Sequence, residues 1–300
     1  MSSPLKIDRP QLGIALIVSA MFIFAVQDGI TKHLATTYVA PQILWIRFSF
    51  FVLFALVYSM RTKPLRACLS SNAPVLQIIR SFVIVAEIGI FILAVRHLPL
   101  AETHALFASF PLMVTAIAAI FLKEAVGIRR WSAIIVGFVG VLIILRPGTD
   151  AIAPAALLAL LCAFMFAGYQ VITRLVSKYD DSETSITYMA VVGLVTMTAL
   201  GPSFWQTPDA EGWTWLLILA VTATLGHFLL IKALEFAPAS LLQPFNFTLL
   251  VFASTVGYFA FGDVPDAWTV VGAIVIVSSG IYTVLRERKR GTKRPGQSVG

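Results

Sequence analysis

Charge is scarce in this chain. Of 300 residues only 12% are Asp, Glu, Lys or Arg, about half the share of a soluble domain, and mean hydropathy is +0.88. A soluble domain of this length leaves much of its surface to water and cannot hide so many apolar side chains. A soluble enzyme, a disordered regulator and a nucleic-acid-binding domain are thereby excluded. Cysteine is nearly absent. Cys68 and Cys162 lie 94 positions apart and form neither a disulfide framework nor a metal-ligand spacing. The phosphate-cradling G-x-x-x-x-G-K-[ST] loop is missing, and so are H-E-x-x-H and G-x-S-x-G. No ATP-driven pump, metal centre, cofactor or hydrolase is expected, so the energy for any work would come from gradients. The four histidines are scattered, with His33 and His97 at the ends of apolar segments.

What the chain has instead is long apolar runs. A membrane-crossing helix needs about 20 mostly apolar residues. Ten segments meet that need: 12–34, 41–60, 74–96, 100–121, 128–146, 152–176, 184–202, 212–235, 239–262 and 266–286. Pro99, Pro147-Gly148, Gly201-Pro202 and Pro265 punctuate the loops between them, because neither Gly nor Pro continues a helix readily. The first segment is too long for a signal peptide and contains Asp28, so it reads as a retained span. The predicted class is all-α and integral to the membrane. Its parts are a tail at 1–11, five spans over 12–146, five more over 152–286, and a basic tail at 287–300.

The basic residues set the orientation. With both termini on one side, 17 Lys and Arg fall on that side and three, Lys32, Arg96 and Arg146, on the other. The positive-inside rule then predicts cytoplasmic termini in a bacterial inner membrane. The run from Arg286 to Arg294 would lie against the anionic inner leaflet.

The chain also matches itself at an offset near 140. Phe24-Ala25 and Ile30-Thr31-Lys32 return as Phe166-Ala167 and Ile172-Thr173-Arg174, 142 positions on. Pro99, His104 and Glu124 correspond to Pro238, Gln243 and Asp263 at 139, and Ala133 and Gly140 to Ala273 and Gly280 at 140. Five spans is an odd number, so the second copy enters from the opposite face. Ten transmembrane helices arranged as two inverted five-helix repeats are a frequent plan of secondary transporters, with the substrate near the midplane.

These residues resemble the drug/metabolite transporter superfamily, with two EamA-type repeats. The resemblance runs through Phe24-Ala25 to Lys32, Pro99, Phe121-Leu122-Lys123-Glu124 and the Gly137–Gly140 run. In the second half it runs through Pro238, Gly262-Asp263 and Gly272 to Gly280. It implies a transporter that works by alternating access on a small molecule within the bilayer, monomeric, with a dimer as the competing state. Similar members export amino acids, including aromatic ones, and export of amino acids is the activity the resemblance implies. Import of a nucleotide-like metabolite such as S-adenosylmethionine or riboflavin is the alternative within the family. A membrane-bound enzyme or scaffold is the alternative from another class.

Ionisable side chains at membrane depth are costly and mark a cavity or a partner. Asp28 and Arg47 fall at equal depth on the first two spans, which permits an ion pair. Gln77, Arg80, Ile84 and Glu87 share one helical face, so the third span carries a polar stripe that cannot face lipid. Arg80 and Glu87 are two turns apart, too far to pair directly. One cation and one anion would suit the carboxylate and ammonium of a zwitterion, or each can be held by its own helix. His104 and Gln243 are repeat mates, as are Phe107 and Asn246, and His227 lies near their level. With Tyr169 these residues make up the candidate substrate cavity. Pro99, Pro111, Pro238 and Pro244 bracket or interrupt the fourth and ninth spans and are candidate hinges. Gly137, Gly140, Gly272 and Gly280 suit close helix packing, within the chain or between copies.

Overall fold

The computed structural model describes residues 9–61, 64–121, 127–146, 154–176, 179–236 and 239–291. Thirteen α-helices run in order: α1 Pro10–Leu34, α2 Ala40–Met60, α3 Leu65–Cys68, α4 Pro74–His97, α5 Leu100–Phe107, α6 Phe110–Phe121, α7 Ile128–Leu145, α8 Pro154–Val176, α9 Ser182–Leu200, α10 Ala210–Phe236, α11 Ala239–Asn246, α12 Thr248–Phe261 and α13 Ala267–Gly291. A 3₁₀ turn, Gly201–Phe204, follows α9, and no strand occurs among the described residues. Proline opens α1 and α4, where its missing N–H would have had no partner in any case. Asp181 caps α9 by accepting the N–H of Thr184 at 3.0 Å.

Eight described helical stretches are long and apolar enough to cross a membrane. The expected fifth and tenth spans are shorter apolar helices, Trp131–Leu145 and Ala267–Tyr282. Arg129 and Arg130 occupy the first turn of α7.

The fourth and ninth spans are each broken. Ala108 and Ser109 separate α5 from α6, and Phe247 separates α11 from α12. Residues 108 and 247 are 139 apart, the local repeat offset. The prolines lie on opposite sides of the two breaks, Pro111 after the first and Pro244 before the second. Pro244 removes a hydrogen bond inside α11, whereas Pro111, second in α6, removes none within that helix, so the matching position of the breaks is not inherited from matching prolines. Side chains cover the opened backbone: Ser109 donates to the Leu106 carbonyl at 2.7 Å and Thr248 to that of Phe245 at 2.6 Å. Pro238, the tails 1–8 and 292–300, and the Lys123-Glu124 segment lie outside the described residues, and so does the side chain of Gln243.

Helix packing follows a regular scheme. α1 packs on α10 and α12, while α4 packs on α8 and α9. α2 packs on α9 and α10, α5 and α6 on α8, α5 on α12, and α7 on α13. Exchanging the first five spans for the second five carries each of the main pairings into another of the same set. The α7–α13 contact is close: a Cβ on Gly272 would stand 2.6 Å from the Gly140 carbonyl oxygen. The Ser279 hydroxyl donates to the Ala133 carbonyl across the same interface. The small-residue face is therefore consumed within the chain. Large apolar side chains point outward, among them Phe259, 81% exposed, and Phe121, 76% exposed. In water such a surface would aggregate; in a bilayer it is the lipid face.

Candidate functional site

The site begins with one buried carboxylate. Asp28 lies in α1 six residues before its end, 7% exposed. Gln27 donates to its Oδ1 at 3.2 Å, and its Oδ2 is 3.2 Å from Nε2 of His104 on α5. That contact has the distance of an ion pair but not the angle of a hydrogen bond, so both ring nitrogens of His104 are buried without a hydrogen-bond partner. The His104 ring is flanked by Phe91 at 5.5 Å and Phe107 at 6.3 Å between centroids. A buried polar group left in this state is costly, and it marks a place built for something else to bind.

Three more polar side chains converge on this centre. Arg47 of α2 is buried and lies within electrostatic reach of both Asp28 and Glu87. Glu87 of α4 is buried as well. His227 of α10 places Nδ1 2.9 Å from the Ala223 carbonyl oxygen and packs its ring against Phe24 at 5.0 Å and Phe51 at 6.4 Å.

At ion-pair distance Asp28 meets His104, while Arg47, its expected partner, lies within electrostatic reach of it. Equal depth was not enough: α2 packs on α9 and α10, α1 packs on α10 and α12, and His104 comes to Asp28 from α5.

Two small cavities border the centre. One, about 10 Å³ and so with room for a single water, is lined by Arg47, Phe48, Phe51, Ile88, Met189 and His227, among others. The second, also about 10 Å³, is lined by His104, Phe107, Phe110, Asn246, Phe247 and their neighbours. Phe107, Asn246 and His104 thus border one cavity. Phe107, Phe110, Phe166 and Tyr169 continue from there as a chain of ring contacts 5.0–5.9 Å apart. Such a wall suits a flat or bulky apolar group.

Arg80 has a different role from Glu87. Its guanidinium donates to the Ser185 carbonyl at 2.6 Å and stacks over the Tyr169 ring at 5.5 Å. One turn earlier, Gln77 donates to Asp180 at 2.9 Å and to Ser185 at 3.1 Å. The polar stripe of α4 therefore divides: its first turns tie α4 to α9 and to the loop before it, and Glu87 turns to the centre. Burial tends to raise the pKa of Asp180, but hydrogen bonds from Ser71, Asn72 and Gln77 outweigh it and hold the carboxyl below its ordinary value.

Sequence reading missed Gln27, Phe51, Phe91 and Met189 as neighbours of the site. Apolar lining residues carry no mark that separates them from core. Among the described residues no group of His, Cys, Asp and Glu is arranged to hold a metal ion.

The family model described as EamA-like transporter family matches residues 11–146 and again 153–285. The chain belongs to the EamA-like transporter family. Members are multi-pass membrane transporters, in keeping with the eight candidate spans. Three relatives of this family resemble it along nearly their whole length. The S-adenosylmethionine uptake transporter of Rickettsia bellii is 26% identical over 94% of this chain and 97% of its own. The riboflavin transporter of Vibrio cholerae is 27% identical over 95% and 97%. The pseudopaline exporter of Pseudomonas aeruginosa is 26% identical over 95% and 99%. None of these three names is that of an amino-acid exporter, so the aromatic amino-acid branch expected from the resemblance is not the one these relatives represent. A solved protein structure shares the fold at a TM-score of 0.63, with 14% identity over 93% of this chain and 98% of its own.

Proposed function

We propose that this chain is a secondary transporter that moves a small metabolite with a flat ring and a charged head through the Asp28–His104 centre. It is not an enzyme in this reading. The observation that carries it is the unsatisfied imidazole of His104 beside a buried carboxylate, opening on a ring-lined cavity where both halves of the chain meet. The name of one relative, for S-adenosylmethionine, fits both parts of that chemistry, and that of another, for riboflavin, fits the flat ring. Uptake of a nucleotide-like compound is therefore favoured over the amino-acid export that the sequence suggested. Amino-acid export keeps one specific support: Arg47 and Glu87 place a cation and a carboxyl group near one another in the buried centre, partners for the two ends of an amino acid. S-adenosylmethionine carries both an amino-acid head and a flat ring, and so satisfies both sets of groups.

The working frame in this reading is ten spans in two inverted repeats, in a bacterial inner membrane with cytoplasmic termini. The 17-to-3 distribution of basic residues, the matched breaks in the fourth and ninth spans and the exchange-symmetric helix packing support it. Purified protein in liposomes, offered radiolabelled S-adenosylmethionine, riboflavin, phenylalanine and tryptophan in turn, tests the proposal. Flux of S-adenosylmethionine or riboflavin above that of empty vesicles is expected. Flux of the amino acids alone would favour export of amino acids, and no flux of any of the four by folded protein would overturn the reading.

A further inference from the structure

Lys32 and Asp263 are 231 residues apart, yet Nζ and Oδ2 meet at 2.6 Å. The same carboxylate oxygen accepts the backbone N–H of Leu100 at 3.2 Å. Leu100 is the first residue of α5, so this N–H has no partner inside its own helix. The Lys32 ammonium also lies 4.9 Å from the centre of the Phe261 ring.

Local sequence aims Asp263 at this spot. α12 ends on Gly262 in the left-handed region, at φ +69. The N–H of Gly262 bonds to the Tyr258 carbonyl and that of Asp263 to the Gly257 carbonyl, each at 3.0 Å. This turn favours glycine, and it folds Asp263 back toward α5. A Cβ on Gly257 would stand 3.4 Å from the Cβ atoms of both Asp263 and Leu100. On the other flank, a Cβ on Gly29 would meet Val256 of α12 at 2.7 Å. α1, α5 and α12 are thus drawn together at one end of the bundle.

What lies behind this knot gives it meaning. One helical turn inward from Lys32 on α1 is Asp28, and one turn inward from Leu100 on α5 is His104. The Lys32 and Asp263 side chains are each 15% exposed, against 10% for Asp28 and 2% for His104. The ion pair sits at the rim and the unsatisfied imidazole directly beneath it. Both charges keep some access to solvent at the rim, so parting them does not leave either one in a dry interior, and the contact can open and close.

We propose that Lys32, Asp263 and the N–H of Leu100 form a latch that closes the Asp28–His104 site at this end of the bundle. It releases when α12 parts from α1 and α5. Lys32 and Asp263 are then positioning residues for access and do not themselves bind the ligand. The inference rests on the reading that this site takes the transported molecule, but its test needs no ligand. Ala108, which lines the cavity beside His104, is replaced by Cys in a chain carrying Cys68→Ser and Cys162→Ala. The purified protein is then treated with a water-soluble methanethiosulfonate.

With the latch intact, modification of position 108 is expected to be slow. Asp263→Asn and Lys32→Gln should each speed it by about five- to tenfold, the range between an exposed ion pair and a charge-assisted hydrogen bond. Lys32→Arg, which keeps the charge, should leave the rate near its starting value. A Cys at exposed Thr37 serves as the reagent control. Because Lys32→Gln leaves Asp263 and its hold on Leu100 untouched, it decides the matter if Asp263→Asn fails to fold. Lowered melting temperature with an unchanged labelling rate in either folded variant would make the pair a plain structural tie and overturn the latch. Loss of flux in liposomes with normal latch behaviour would instead count against the transport reading alone.

Discussion

The two halves of this chain have the same frame and different chemistry. At the repeat offsets of 139 to 142, Asp28 corresponds to Gln170, Arg47 to Met189, Glu87 to His227 and His104 to Gln243. The three charges nearest the centre, Asp28, Arg47 and Glu87, each have a neutral residue or a histidine at the mate. Yet mates face the same spaces. Arg47 and Met189 line one cavity, and Phe107 and Asn246 line the other, as do Ala108 and Phe247. Duplication accounts for the packing of helix on helix, and divergence of one copy accounts for the site. A charge is tolerated at membrane depth only where it has work or a partner, so one charged copy facing a neutral one leaves room for a ligand to supply the complement.

That contrast can be broken most strongly at the charged copy. Asp28→Asn should reduce transport by about 10- to 100-fold, the value of one charge-assisted contact, while Gln170→Ala should stay within about threefold, as a half-buried polar group outside the centre would. Flux in liposomes at matched protein content measures both. If the two substitutions cost the same, the chemistry is not concentrated in the first half.

The shared frame should respond to bulk instead of charge. Gly272→Leu forces a side chain against the Gly140 carbonyl and Ile144, and should lower stability by about 1–3 kcal/mol, as overpacking does. Gly168→Ala meets nothing within 4 Å and should gain up to about 1 kcal/mol from helix propensity. Thermal unfolding in detergent separates the two. Equal melting temperatures would mean that α7 and α13 do not pack as closely as described.

A smaller effect is expected at the tie between α4 and the loop before α9. Asp180 has its carboxyl held below the ordinary value by its hydrogen bonds. Its contribution to stability is therefore present above the unfolded value and is lost as pH falls through the folded one. The wild type should lose a little stability in that acidic window, and Asp180→Asn should lose none there. The difference between their melting temperatures, followed from pH 6 downward, tests the sign; a gap that widens on acidification would reverse it.

The frame was more legible in the sequence than the site. Apolar run length places a helix at each of the ten expected segments, because every backbone group in a bilayer must be satisfied within the helix. At the fifth and tenth, helices Ile128–Leu145 and Ala267–Gly291 stand where the runs lie. The stripe on α4 was readable, since spacings of three and four fix a helix face. The partner of Asp28 was not, because depth along two spans says nothing about which helices are adjacent. His104 reaches it from 76 residues away, by packing that no local pattern encodes. Lys32 and Asp263 read only as charges at span ends, and their contact appears once α1, α5 and α12 are brought together.

The most direct test of the site is a double-mutant cycle on transport. Asp28→Asn, His104→Gln and the double variant are reconstituted, and the initial uptake of S-adenosylmethionine or riboflavin, whichever the wild type carries, is measured. If Asp28 and His104 act on the ligand as a unit, the double variant should be no worse than the poorer single one, because either change alone already removes the pair. Losses that multiply, or full transport by either single variant, would place the transported molecule somewhere other than the Asp28–His104 centre.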